Sequence, residues 1–162
     1  MVLREGSILR PTHVIDARTG AEKRIPWTPL GVCVIFFPHP GCGSCATFAE
    51  ALDRDASLFT DWGSTVWFVA TNAAGIPDRI ERSGKLGLWI DDGRLHAAAG
   101  LAHDEGAVLV IDVHGQVFYS QHVDDAHGFP SLGDLALEAR FPALQCPECD
   151  TPDVPGLAQL PS

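Results

Sequence analysis

Apolar and polar positions along the chain fall into short blocks of two kinds. Val32-Cys-Val-Ile-Phe-Phe37, Thr65-Val-Trp-Phe-Val-Ala70 and Ala107-Val-Leu-Val-Ile-Asp112 are near-continuous apolar runs rich in β-branched and aromatic residues. Runs of that length, bounded by glycine, proline or polar residues, predict strands buried on both faces. Thr12–Asp16 and Glu22–Ile25 predict a shorter strand pair about the turn Ala17-Arg-Thr-Gly20. Leu86–Ile90 adds a short strand, and Gln116–Gln121 pairs back on the third buried run after Val113-His-Gly115. The second kind of block has helical spacing. Phe48 and Leu52 lie four apart, with Ala49, Ala51 and Ala56 beside them, which predicts a helix from about Gly43 to Asp55. Pro77 to Ser83 and Arg94 to Ala99 predict short helices, ended by Gly84 and Gly100. Ser131-Leu-Gly-Asp134 resembles a capping start, and Leu132, Leu135, Ala136 and Ala139 mark a helical face ending near Phe141.

The predicted order is β-β-β-α-β-α-β-α-β-β-α. Strands separated by helices pair in parallel, and the late hairpin contributes antiparallel strands. The class is therefore α/β, a mixed central sheet flanked by helices, with an N-terminal strand pair. Residues 1–142 form one domain. Residues 143–162, with Pro147, Pro152, Pro155 and Pro161, form a proline-rich C-terminal tail.

Composition narrows the partners. A chain of 162 residues with 46% apolar and 20% charged positions buries a core without staples. The formal charge of −10 argues against nucleic acid or an anionic membrane as the main partner. No apolar run approaches the roughly 18 residues of a membrane span. The start Met1-Val-Leu-Arg-Glu-Gly6 has no apolar signal core, so a cytoplasmic location is expected.

Five cysteines carry the candidate chemistry. Four form two Cys-x-x-Cys pairs, Cys42/Cys45 and Cys146/Cys149, and Cys33 sits alone in a buried run. An odd count does not fit a structural disulfide framework; it points to redox chemistry, metal or both. The first pair follows a buried strand and opens a helix. A thiolate is the reactive form of cysteine, and free N–H groups at a helix start stabilise an anion. Cys42 is expected to be the exposed attacking thiol, and Cys45, one turn further in, the buried resolving thiol. The competing reading is half of a zinc site, which needs four ligands. Ala46 and Asp150 follow the two pairs where a c-type haem needs histidine, which excludes that cofactor.

Over roughly residues 6–141 the chain resembles the thioredoxin superfamily, specifically its redoxin branch of peroxiredoxin-like (AhpC/TSA-type) proteins. The resemblance rests on the Cys motif in its strand-to-helix context, the preceding strand pair, Leu86–Leu101, and the Asp-x-x-Gly turn of Gly106–Gly115. It implies a thioredoxin-like fold and thiol–disulfide exchange. Several positions depart from the family. Gly41 replaces the tryptophan before the first Cys, Phe36 replaces a buried aspartate that accepts a proton, and Ala107 stands at the cis-proline position. In the peroxiredoxin pattern Pro-x-x-x-Thr-x-x-Cys, Pro38 and Cys45 match, but Cys42 occupies the threonine position. The family's thiolate-stabilising arginine is missing near Gly106, and Arg94 substitutes only if the fold brings it there.

The expected function is a thiol–disulfide oxidoreductase cycling the Cys42/Cys45 couple, with Cys146/Cys149 as a possible relay. The alternatives are a thiol peroxidase with Cys45 peroxidatic, and a zinc-binding or scaffold module without turnover. No cofactor and no resident metal are expected. The partners are a protein or small-molecule disulfide as substrate and a cellular dithiol as reductant. His39 reads either as a cation near Cys42 or as a solvated turn residue. His122, Asp124, Asp125 and His127 read as loop residues after an edge strand. Cys33 reads as core, and Trp62, Trp67 and Trp89 as core or rim.

Overall fold

The fold is described from a computed structural model covering residues 2–25, 31–124 and 126–143. The strands are β1 (Thr12–Asp16), β2 (Glu22–Ile25), β3 (Cys33–Phe37), β4 (Thr65–Ala70), β5 (Gly87–Ile90), β6 (Gly106–Ile111) and β7 (Val117–Val123). The helices are α1 (Gly43–Arg54), α2 (Ser57–Thr60), α3 (Asp78–Ser83), α4 (Arg94–Ala98) and α5 (Leu132–Ala143). All seven strands form one sheet in the order β2-β1-β5-β4-β3-β6-β7. Strands β3, β4 and β5 run parallel, while β6 lies antiparallel to β3 and β7 antiparallel to β6. The N-terminal pair β1–β2 extends the other edge, antiparallel to β5. This is the mixed sheet that the block pattern predicts. Among the described residues no helix is long and apolar enough to cross a membrane.

The strict alternation of β3 explains why it sits centrally. Val34 and Phe36 face a layer with Phe48, Leu52, Phe59, Ile80 and Leu135. Cys33, Ile35 and Phe37 face a second layer with Trp67, Leu95, Leu109 and Val117. Every residue of β3 is buried. Each large side chain so enclosed contributes about 1.5–3 kcal/mol relative to exposure. Cys33 is core, as its run predicts, and burial pushes its thiol far up from the ordinary range, against the lowering effect of Thr65. Trp67 and Trp89 are also core, while Trp62 is at the rim with the Arg140 guanidinium 4.8 Å above its ring.

Local details follow the sequence closely. Asp112 accepts from the N–H groups of His114 and Gln116, at 2.9 and 2.8 Å, and sets the turn between β6 and β7. Gly115 takes φ 79° there, a conformation that costs other residues strain. Ser131 Oγ accepts from the Asp134 N–H at 3.1 Å and caps α5. Helix α5 runs two residues beyond its expected end, through Pro142. Helix α2 has no counterpart in the predicted order. Four residues carry too little periodicity to announce a helix.

Candidate functional site

Phe37 is the last residue of β3, and Pro38-His-Pro-Gly41 turns the chain into α1. Cys42 is the N-cap of that helix, with extended backbone at φ −89° and ψ 120°. Its Sγ accepts from the Cys45 N–H at 3.3 Å. The sulfur thus takes the place that a serine or aspartate oxygen usually fills, at the positive end of the helix. Cys42 is half-buried at a cleft of about 290 Å³ lined by His39, Cys45, Phe68, Ile76 and Pro77, among others. Cys45 lies one turn inside and is only 1% exposed. Its thiol is pushed up to about 12, chiefly by burial, with the His39 N–H pulling the other way. Both thiols are free.

Two histidines complete the site. The His39 N–H donates to Cys45 Sγ at 3.3 Å, and its ring Nδ1 lies 3.6 Å from the same sulfur. His39 therefore attends Cys45 more closely than the Cys42 that the sequence pairs it with. Gly106 lies against this ring and, more closely, against the backbone of β3. A Cβ built on Gly106 would lie 3.4 Å from His39 Cε1 and Nε2 and 3.1 Å from the Phe37 carbonyl.

His127 reaches the site from the loop between β7 and α5, and the reading of it as an ordinary loop residue is corrected here. Its Nε2 lies 3.0 Å from Cys42 Sγ, and its ring centre is 5.1 Å from that of His39. His127 has φ 53°, in the left-handed region. Such a conformation is uncommon outside glycine and recurs at functional sites, where surrounding contacts hold it. The His127 N–H donates to the Asp124 carbonyl at 3.0 Å, its own carbonyl accepts from the Phe129 N–H at 3.0 Å, and neighbouring side chains add to these. Phe129 stacks on Phe48 of α1 with ring centres 4.5 Å apart, and Gln121 Nε2 donates to the Gly128 carbonyl. Nothing in the local sequence ties residue 127 to residue 42; the one hint is a histidine beside Gly128 and Pro130, the composition of a tight loop. His122, by contrast, turns away and meets Glu105 at 2.9 Å.

Among the described residues, the cleft lining around the cysteines contains no arginine and no threonine. Arg94 does not supply the missing cation. Its guanidinium pairs with Asp92 at 2.8 Å and lines a different hollow with His13, Glu22 and Asp91. Cys146 and Cys149 lie outside the described residues, as does the rest of the tail beyond Ala143. The expected relay is therefore neither built nor excluded by this geometry. The site as described is a free dithiol with one histidine on each sulfur, and all four donor atoms lie within 4.8 Å of one another.

No protein-family model and no curated protein sequence matches the chain. Solved structures do. The peroxidoxin BcpB from Mycobacterium tuberculosis superposes with a TM-score of 0.71 at 19% identity, over 89% of this chain and 99% of that one. AhpC of the same organism gives a TM-score of 0.68 at 15% identity, over 91% and 98%. A putative thiol:disulfide interchange protein DsbE from Chlorobium tepidum gives 0.64 at 20% identity, over 86% and 96%. The chain has the thioredoxin-like fold in its peroxiredoxin form, with the N-terminal strand pair and a Cys-x-x-Cys at the start of α1. Peroxiredoxins and disulfide oxidoreductases both stand among its structural neighbours.

Proposed function

We propose that the protein is a thiol–disulfide oxidoreductase in which Cys42 attacks and Cys45 resolves. The observation that carries this reading is the asymmetry of the pair. Cys42 is half-buried at the cleft, capped into the helix start and 3.0 Å from a histidine, whereas Cys45 is 1% exposed with its thiol pushed up to about 12. An accessible sulfur at a helix start beside a buried protonated one is the arrangement that exchange through a mixed disulfide requires.

In the reducing direction the Cys42 thiolate attacks a substrate disulfide and expels one substrate thiolate. Cys45 then loses its proton and attacks Cys42 Sγ, forming the Cys42–Cys45 disulfide and releasing the second substrate thiolate. His39 Nδ1, 3.6 Å from Cys45 Sγ, is the nearest base for that proton. It takes over the task of the aspartate whose place Phe36 fills. A cellular dithiol returns the pair to the reduced state, and Cys146/Cys149 of the tail would serve as the relay to it.

Peroxidase chemistry has less support. The peroxiredoxin neighbours argue for it by shape, but the described residues lining the cleft offer neither the threonine nor the arginine expected to polarise a peroxide. Alkylation at pH 6 with peptide mapping separates the two roles: Cys42 labels well before Cys45 and Cys33. The Cys45→Ser variant traps a mixed disulfide on Cys42. Faster labelling of Cys45, with hydrogen peroxide reacting several orders of magnitude faster than with a simple thiol, would overturn the oxidoreductase reading in favour of the peroxidase.

A further inference from the structure

Thiol exchange needs two sulfurs and a base. It does not need a second imidazole closing over the pair. His39, Cys42 and Cys45 come from seven consecutive residues and form a local tripod of one nitrogen and two sulfurs. His127, from a loop 85 residues away, closes the open side with its Nε2. These four are the group among the described residues whose donor atoms converge within 4.8 Å.

We infer that the reduced site binds one zinc ion through His39, Cys42, Cys45 and His127. Four arguments support it. The donor set is Cys2His2 with Cys-x-x-Cys spacing, which suits tetrahedral zinc. The dimensions suit it too. Bonds of about 2.3 Å to sulfur and 2.0 Å to nitrogen place tetrahedral donors about 3.3–3.8 Å apart. Cys45 Sγ and His39 Nδ1 are already 3.6 Å apart, and Cys42 Sγ and His127 Nε2, at 3.0 Å, need to open by about half an ångström. The charges close as well: two thiolates and two neutral imidazoles neutralise a divalent cation, and among the described residues the cleft lining holds no lysine or arginine to compete with it. Finally, His127 is held over the sulfurs: the Phe129 stack with the Gln121–Gly128 bond keeps it in its left-handed conformation.

Zinc and the disulfide exclude each other, because the ion needs both thiolates. A disulfide RS–SR acting on the loaded site takes two electrons from the sulfurs. The S–S bond between Cys42 and Cys45 forms, two RS⁻ leave, and Zn²⁺ is released. This coupling rests on the exchange chemistry proposed above; zinc binding by the dithiol does not.

The test uses the full chain, reduced with a phosphine. Zinc(II) is titrated against a chromophoric chelator, and cobalt(II) serves as the spectroscopic probe of geometry. The expected result is one equivalent of zinc, with tetrahedral d–d bands and thiolate charge transfer for cobalt. His39→Ala and His127→Ala should each weaken zinc at least tenfold, with circular dichroism confirming that they fold. Cys146→Ser/Cys149→Ser should bind as the parent does, and the oxidised chain should bind none. The inference is overturned if zinc does not bind, if both histidine variants bind undiminished, or if binding goes with the tail thiols. Disulfide turnover by a chain that binds no zinc would sink this inference and spare the oxidoreductase reading. Zinc binding by a chain without turnover would do the opposite.

Discussion

Two histidine clusters lie close to the same central strand and behave differently. In the cleft, His39 faces the buried Cys45 sulfur and His127 the half-exposed Cys42 sulfur, and each histidine is half-buried. Beneath the other face, His96 packs edge-on against Phe37, with ring centres 4.9 Å apart, and meets Asp91 at 2.7 Å. Both members of that pair are nearly inaccessible, at 1% and 0%. The Asp91 carboxylate also accepts from the N–H groups of Leu95 and His96, at 3.0 and 2.9 Å, and so caps α4. Burial alone would raise its pKa. The His96 ring and the two helix N–H groups outweigh that and hold the carboxyl below its usual range. The inner cluster thus spends the Asp91 carboxylate and His96 Nδ1 on each other and on a helix end, while His96 Nε2 is buried without a partner among the described residues. The outer cluster leaves the Cys42 sulfur available. The same residue type serves stability in one place and reactivity in the other, and access to solvent separates the two.

The largest effect that tests this contrast is at Cys42. Cys42→Ser should abolish disulfide turnover while leaving the melting temperature nearly unchanged, since a hydroxyl can also cap α1. Turnover measured with a small-molecule disulfide, beside a thermal melt, checks both halves. Next is His96→Ala, which leaves a buried carboxylate without its ring partner. It should destabilise by about 3–5 kcal/mol in urea unfolding. The alkylation rate of Cys42 in the folded variant should stay close to that of the parent. A large loss of Cys42 reactivity with little loss of stability would break the contrast.

Smaller effects sharpen it. His127→Ala should slow Cys42 alkylation at pH 6 by about tenfold, the equivalent of about 1.4 kcal/mol, with little change in stability. Removal of a left-handed non-glycine residue gives His127→Gly the opposite sign on stability, a gain of up to about 1 kcal/mol, with the same kinetic loss. Acid titration addresses Asp91. A carboxyl held below its unfolded value binds its proton less readily when folded. Its contribution to stability is therefore complete above the unfolded value near 3.8 and is lost as pH falls through the folded value. Unfolding free energies from pH 5 down to 2 should show a drop that the foldable Asp91→Asn variant lacks.

The contrast also marks what the sequence could disclose. The three buried runs announced β3, β4 and β6, because a strand covered on both faces has to be apolar throughout. Thr12–Asp16 and Glu22–Ile25 match β1 and β2 end to end because their turn residues are local. Cys42 and Cys45 were legible for the same reason: motif, strand and helix are contiguous. His127 was not. Its role comes from the tertiary path of β7 and the stacking of Phe129 on Phe48, and periodicity carries no record of either. The Asp91–His96 pair was missed likewise. Asp91, Asp92 and Arg94 look alike on paper, and only the fold decides that the first is sealed while the other two pair in solvent.

The central place of β3 has a consequence for motion. Flanked by β4 and β6 and covered on both faces, it belongs to the part of the molecule that opens only with global unfolding, so its amides should exchange with deuterium slowest of all. Cys42 and Cys45 are anchored directly to that slow segment. His127 meets Cys42 from outside that segment, held by the Phe129–Phe48 stack and the Gln121–Gly128 bond. The dithiol is thus fixed to the slowest part of the molecule, and exchange at the half-exposed Cys42 sulfur requires no opening of the strand beneath it.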